Sequence, residues 1–158
     1  MTDQYRVAII GCGRRGSKLA PAFHKDSRCE VVALVDANEE AARTAAGEHA
    51  IDAQVFTDHK KMLADCQPDV TVIALWTPLH LPVLRDCAEA GVRGVLCEKP
   101  MAPTWGDALE MATIVRENDM VLNFCHQRRF NPGVVKAREL IEAGTFGAVQ
   151  RLEHFSPQ

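Results

Sequence analysis

Short, almost unbroken apolar runs alternate along the chain with longer stretches in which apolar residues recur every three or four positions. The first pattern is that of strands buried on both faces, the second that of helices with one buried side. The runs predict strands over residues 7–10, 31–35, 54–56, 70–75, 94–97 and 121–125. The stretches between them predict helices from Gly16 onward and over residues 38–49, 59–65, 78–90, 105–117 and 131–143. Residues 148–155 alternate apolar and polar and predict a further strand. Boundary residues agree at several places: Thr57 or Asp58 can cap the third helix, Thr104 with Asp107 makes an approximate capping box, and Gly144 ends the last helix. Gly47 predicts fraying or a stop late in the second helix. Pro21 conflicts with the first, where a missing N–H costs roughly 3 kcal/mol unless a kink absorbs it.

Strand and helix alternate almost throughout, which predicts an α/β fold, a doubly wound and mostly parallel sheet with helices on both faces. Such sheets bind ligands beyond the carboxyl ends of their strands. The residues at those ends are 11–16, 36, 76–80, 98–100 and 126–129.

Composition narrows the classes. A chain of 158 residues suits one domain with an appendage, and its 47% hydrophobic and 25% charged residues can bury a core. A net charge of −3 provides no general basic field for nucleic acid or a membrane surface. No apolar run approaches the ~20 residues of a membrane-spanning helix. The N-terminus enters a strand without the regions of a secretory signal, so a cytoplasmic location is expected. Cys12, Cys29, Cys66, Cys87, Cys97 and Cys125 form no C-x-x-C pair. Reduced, mostly buried thiols are therefore favoured over zinc or disulfides, and no metal is assigned. Cys12 lies near a helix N-terminus, a setting that lowers a thiol pKa. A small residue filling the turn is nevertheless its favoured role.

The chemistry begins at Gly11-Cys12-Gly13-Arg14-Arg15-Gly16, between the first strand and first helix. Gly11 allows a sharp turn, Gly13 lets a pyrophosphate approach the backbone, and Gly16 lets the helix pack close to the sheet. The helix N-terminus favours the phosphate charge. Asp36 ends the second strand, 20 residues beyond Gly16, near the interval expected for an acid that binds an adenosine ribose. Its carboxylate would accept the ribose hydroxyls and repel a 2′-phosphate, favouring NAD over NADP. Asp36 as a cap for the next helix is the plainer alternative. After the fourth strand, Trp76 and Thr77 border the same edge, with Thr77 offering a hydroxyl and Pro78 opening a helix. His80 is either a ligand contact or a solvated or capping histidine. After the fifth strand, Glu98-Lys99-Pro100 puts two charges at a buried strand end, a costly position for unpaired groups, or else forms a salt-bridged surface turn.

Taken in order, GCGRRG, VVALVD, TPLH, CEKPMA and QRRFNP resemble the Gfo/Idh/MocA family of nicotinamide-dependent sugar and polyol oxidoreductases, with E-K-P the most specific piece. The resemblance covers essentially the whole chain. It implies a Rossmann domain over residues 1–126, then a linker helix and the first strand of a substrate domain over 127–158. Lys99 would be the catalytic residue, bonding a substrate hydroxyl beside the nicotinamide and helping it lose its proton as hydride leaves. Glu98 would neighbour the cofactor, the Lys99–Pro100 bond would be cis, and Arg128 and Arg129 would lie at the edge of the active site. Two departures stand out in the family's T-P-N-x-x-H element: Leu79 occupies the usual asparagine position and Pro82 the usual histidine. Family members usually run much longer, and the segment carrying their catalytic histidine is not among these residues. The expected function is the nucleotide-binding portion of an NAD(P)-dependent oxidoreductase of sugars, polyols or related compounds. The alternative is a non-catalytic dinucleotide-binding or regulatory module. A methyltransferase using the glycine turn for S-adenosylmethionine leaves Glu98-Lys99-Pro100 unexplained. An uncovered strand over 148–155 would expose Leu152 and Phe155, so a homo-oligomer through that strand or a disordered tail is expected.

Overall fold

The computed structural model describes residues 4–153. The chain divides into two compact units, Met1–Cys125 and His126–Gln158. In the first, six strands form one fully parallel sheet: β1 (Tyr5–Ile10), β2 (Cys29–Val35), β3 (Gln54–Phe56), β4 (Val70–Ile73), β5 (Gly94–Cys97) and β6 (Val121–Phe124). Their spatial order is β3-β2-β1-β4-β5-β6, the doubly wound arrangement, with its switch point between β1 and β4.

The strand side chains sort by parity except in β2, where a register irregularity puts the consecutive Val32 and Ala33 in the same layer. Val7, Ile9, Leu34 and Val72 face one layer with Ala20 of α1 (Gly16–Lys25) and Ala42 and Ala45 of α2 (Glu39–His49). Ala8, Ile10 and Ile73 face the other. There they pack with Met62 of α3 (His59–Cys66), Leu84 of α4 (His80–Glu89) and Met111 of α5 (Trp105–Glu117). Small alanines on α1 and α2 let those helices approach the sheet closely. β4 is shorter than the apolar run predicts, because β1 and β5 pair with it only as far as Ile10 and Cys97. Cys125 likewise falls just outside β6.

Local chemistry sets the helix ends. Asn38 caps α2 by accepting from Glu40 N–H, Asp58 caps α3 through Lys60 N–H, and Thr104 caps α5 through Asp107 N–H at 3.1 Å. The capping box is incomplete, since Asp107 accepts from the Thr104 hydroxyl at 2.8 Å rather than from its backbone N–H. Gly47 does not stop α2, which continues to His49 and ends on Ala50 in the left-handed region. The predicted helix from Pro78 divides into a 3-10 turn, Thr77–Leu79, followed by α4. Pro21 does lie inside α1. Having no N–H, it cannot donate to the Ser17 carbonyl four residues back. His49 Nε2 reaches that carbonyl at 3.0 Å instead.

The second unit holds a 3-10 turn, Gln127–Phe130, and α6 (Pro132–Glu142), capped by Asn131 through Gly133 N–H. Gly144, at φ +65°, ends α6 with Thr145 N–H bonded back to the Leu140 carbonyl. The strand expected over 148–155 is not formed in its described part. Residues 148–153 have no strand pairing, because a strand requires a partner's N–H and C=O groups and none is present among the described residues. The rest of that segment, Phe155 included, lies outside the described residues.

Candidate functional site

Four loops converge on the carboxyl edge of the sheet around the switch point: those after β1, β2, β4 and β5. The glycine turn after β1 is shaped by what cannot fit there. Gly11 has φ +93°, and a Cβ at this position would lie 2.5 Å from the Ala74 carbonyl oxygen. A Cβ at Gly16 would collide with the Gly11 carbonyl, and its next neighbour is the Ala74 side chain. Gly13 is different: it is exposed, and a Cβ there would meet nothing within 4 Å. Two glycines are thus required by the fold, and the third faces open space. The start of α1 has neither a side-chain cap nor an acidic residue in its first turn, leaving its positive end to an outside anion. A cavity of about 390 Å3 elsewhere, lined by Lys60 and Asp86 among others, lies on the α3–α4 side. At the glycine turn a cleft of about 370 Å3 runs between Gly13, Arg14 and Ser17 on one side and Asn38 and Thr44 on the other. A larger apolar groove of about 450 Å3, lined by Phe23, Val70, Gly94 and Val121, lies away from this edge.

Asp36 is fixed at the end of β2. One carboxylate oxygen accepts from Cys12 N–H at 2.8 Å and the other from Asn38 N–H at 2.9 Å. It therefore braces the glycine turn while Asn38, not Asp36, caps α2. Each carboxylate oxygen keeps a further lone pair for a ligand hydroxyl. Cys12 is a buried turn residue rather than a reactive thiol. Burial and the neighbouring Asp36 charge push its pKa up to about 12, despite a thiol contact with the Val35 carbonyl. All six cysteines are free.

Glu98, 4% exposed at the end of β5, is joined to the glycine turn. Arg15 Nε and Nη2 donate to one of its oxygens at 3.0 and 2.8 Å. The other oxygen lies 3.3 Å from Lys99 N–H. The Cys125 thiol bonds Glu98, and burial, the Glu98 charge and that bond together raise the thiol to about 11. The Glu98 charge is thus buried and paired with Arg15, not part of a surface turn. The Lys99–Pro100 bond is cis. The Lys99 side chain is exposed, and its ammonium has no partner among the described residues.

The loop after β4 holds Trp76, 84% exposed, and a half-buried Thr77. His80 corrects an expectation. It is neither solvated nor open to a ligand but fully buried, with Nδ1 3.2 Å from the Met101 carbonyl oxygen and Nε2 3.1 Å from that of Leu75. Nothing in the sequence separates a buried histidine from an exposed one at the first turn of a helix. Pairing between Arg15 and Glu98, 83 residues apart, was equally invisible there. Arg14 is exposed beside Gly13. Arg128 belongs to the second unit, exposed within its 3-10 turn, where the Arg129 guanidinium lies 5.9 Å from the Phe130 ring centre. Among the described residues no His, Cys, Asp or Glu side chains cluster as metal ligands would, and no helix is long and apolar enough to cross a membrane.

A family model described as an oxidoreductase family with an NAD-binding Rossmann fold matches residues 5–126. An inositol 2-dehydrogenase of Corynebacterium glutamicum is 29% identical over 153 residues, covering 96% of this chain and 45% of that protein. A D-xylose 1-dehydrogenase (NADP+) of Haloarcula marismortui is 33% identical over 148 residues, covering 90% of this chain and 40% of that protein. The WlbA dehydrogenase of Bordetella pertussis, solved with NADH and UDP-GlcNAcA, superposes with a TM-score of 0.81 at 34% identity, covering 91% of this chain and 43% of that one. The chain spans less than half the length of these proteins.

Proposed function

The chain belongs to the Gfo/Idh/MocA oxidoreductase family, whose NAD-binding Rossmann domain it contains, and from that premise we propose that it is the cofactor-binding portion of a sugar or polyol dehydrogenase. The observation that carries the reading is the pairing of an open Gly13 with a fixed Asp36 carboxylate across one turn. Pyrophosphate fits over Gly13 at the unacidified start of α1, with Arg14 beside it. The ribose hydroxyls fit the remaining lone pairs of Asp36, and Trp76, Thr77 and Glu98 border the rest of the cofactor. A 2′-phosphate would meet the Asp36 charge, which favours NAD over NADP.

Bound NAD would supply the hydride acceptor. Lys99, at the exit of β5, then holds the substrate hydroxyl and eases loss of its proton. Its ammonium, like the Arg14 guanidinium beside Gly13, has no partner among the described residues. Glu98 is buried and already shared by Arg15, Cys125 and the Lys99 amide. The inositol and xylose dehydrogenases among the relatives support a polyhydroxylated substrate. The test is a titration with NADH and NADPH followed by nicotinamide fluorescence. NADH is expected to bind at least about tenfold tighter, equivalent to 1.4 kcal/mol. Asp36→Ala should narrow that ratio. Preference for NADPH would overturn the role given to Asp36, and binding of neither would overturn the cofactor assignment.

A further inference from the structure

The segment from Glu98 to Met101 is fastened at both ends by groups that the cofactor grip leaves out. At one end Glu98 is held by Arg15. At the other, the Met101 carbonyl faces His80 Nδ1 at 3.2 Å. The same ring faces the Leu75 carbonyl with Nε2 at 3.1 Å. His80 is therefore a buried bridge between the loop leaving β4 and the segment just past Pro100. Lys99 lies between the two fastened points, exposed, with no other side-chain partner among the described residues.

We propose that His80 is a positioning residue, which ties the exit of β4 to Met101 and thereby holds Lys99 and its loop at the nicotinamide end of the bound dinucleotide. The proposal rests on the cofactor reading above. Losing a buried hydrogen bond from this ring is costly, so the ring holds whichever carbonyl it donates to close to it. A neutral imidazole has a single N–H, so it donates to one of the two carbonyls at a time. The Met101 contact is the one that bears on Lys99. The Leu75 contact bears on the loop carrying Trp76 and Thr77.

Two substitutions separate these contacts. An asparagine amide nitrogen reaches approximately the place of Nδ1, and a glutamine amide nitrogen that of Nε2. The experiment measures affinity for NADH and for ADP-ribose, which shares the adenosine and pyrophosphate but lacks nicotinamide. It uses the whole chain and its His80→Ala, His80→Asn and His80→Gln variants, with circular dichroism confirming the fold of each. His80→Ala is expected to weaken NADH about tenfold and ADP-ribose less than about twofold, the scale of one lost buried hydrogen bond. His80→Asn should recover most of the NADH affinity and His80→Gln less. Equal losses for both ligands, or none for either, would show a merely structural residue and overturn the proposal. If His80→Ala does not fold, equal behaviour of the asparagine and glutamine variants overturns it just as well. A wild-type chain that binds neither ligand removes the cofactor premise; one that binds both keeps it, and then only the variants decide about His80.

Discussion

Glu98 and Arg15 form the most consequential pair of side chains in the molecule. The Glu98 side chain is 5% exposed and that of Arg15 39%, so the pair is half sheltered from water. Removing one partner of a fully buried pair typically costs 3–5 kcal/mol, because the remaining charge is stranded. Solvent around Arg15 reduces that figure here. Arg15→Ala is expected to destabilise the chain by about 2 kcal/mol in urea unfolding, and Glu98→Gln in the same background should recover part of the loss. Purely additive effects in that cycle would count against a direct coupling. Both residues were legible as candidate cofactor neighbours from their motifs. Their contact was not, because nothing local in the sequence relates positions so far apart.

At the scale of elements, α1 carries an apparent error, a proline in mid-helix. The structure resolves it through α2, whose terminal His49 donates to the Ser17 carbonyl that Pro21 leaves without a partner. The two helices are therefore coupled through one substituted hydrogen bond. His49→Ala should cost about 1 kcal/mol, the usual net worth of such a bond. In a Pro21→Ala background, which restores the missing donor, the same change should cost clearly less. Thermal unfolding of the four variants measures this, and equal costs in both backgrounds would disprove the coupling. The starts of α3 and α5 were legible because Asp58 and Thr104 cap through local bonds, while the caps of α2 and α6, Asn38 and Asn131, emerged only in the structure. Gly47 misled because its weak helix propensity is overridden by the packing of Ala42 and Ala45 on the sheet.

For the molecule as a whole, two carboxylates away from the candidate site link stability to pH. Asp69, between β1, β4 and β5, accepts from Arg6 N–H and from Arg93. The Arg6 amide bond outweighs burial and, with Arg93, holds its pKa below the usual carboxylate value. Burial alone would raise Asp86, but hydrogen bonds from His59 and Lys60 overcome it and leave Asp86 lowered as well. Both groups are lower in the folded chain than in the unfolded one. Their stabilisation is complete above the unfolded value of 3.8 and is lost as pH falls through the folded values. Unfolding free energy should therefore fall from about pH 5 downward, and Asp69→Asn should flatten that slope. An unchanged slope in the variant would remove Asp69 from the account.

The sequence by itself determined the strand and helix order, the parallel class of the sheet and the glycine turn, because these follow from periodicity, local capping and steric freedom at single positions. It also marked Asp36, Glu98 and Lys99, whose types are conspicuous at strand ends. Only the tertiary structure decided which groups are already engaged. Asp36 braces Cys12 N–H, Glu98 is neutralised by Arg15, and His80 is withdrawn from solvent to join two loops. It also decided that residues 148–153 form no strand, since pairing depends on a neighbour rather than on alternation. Burial and long-range hydrogen bonds are properties of residues brought together from distant positions, and no local pattern carries them.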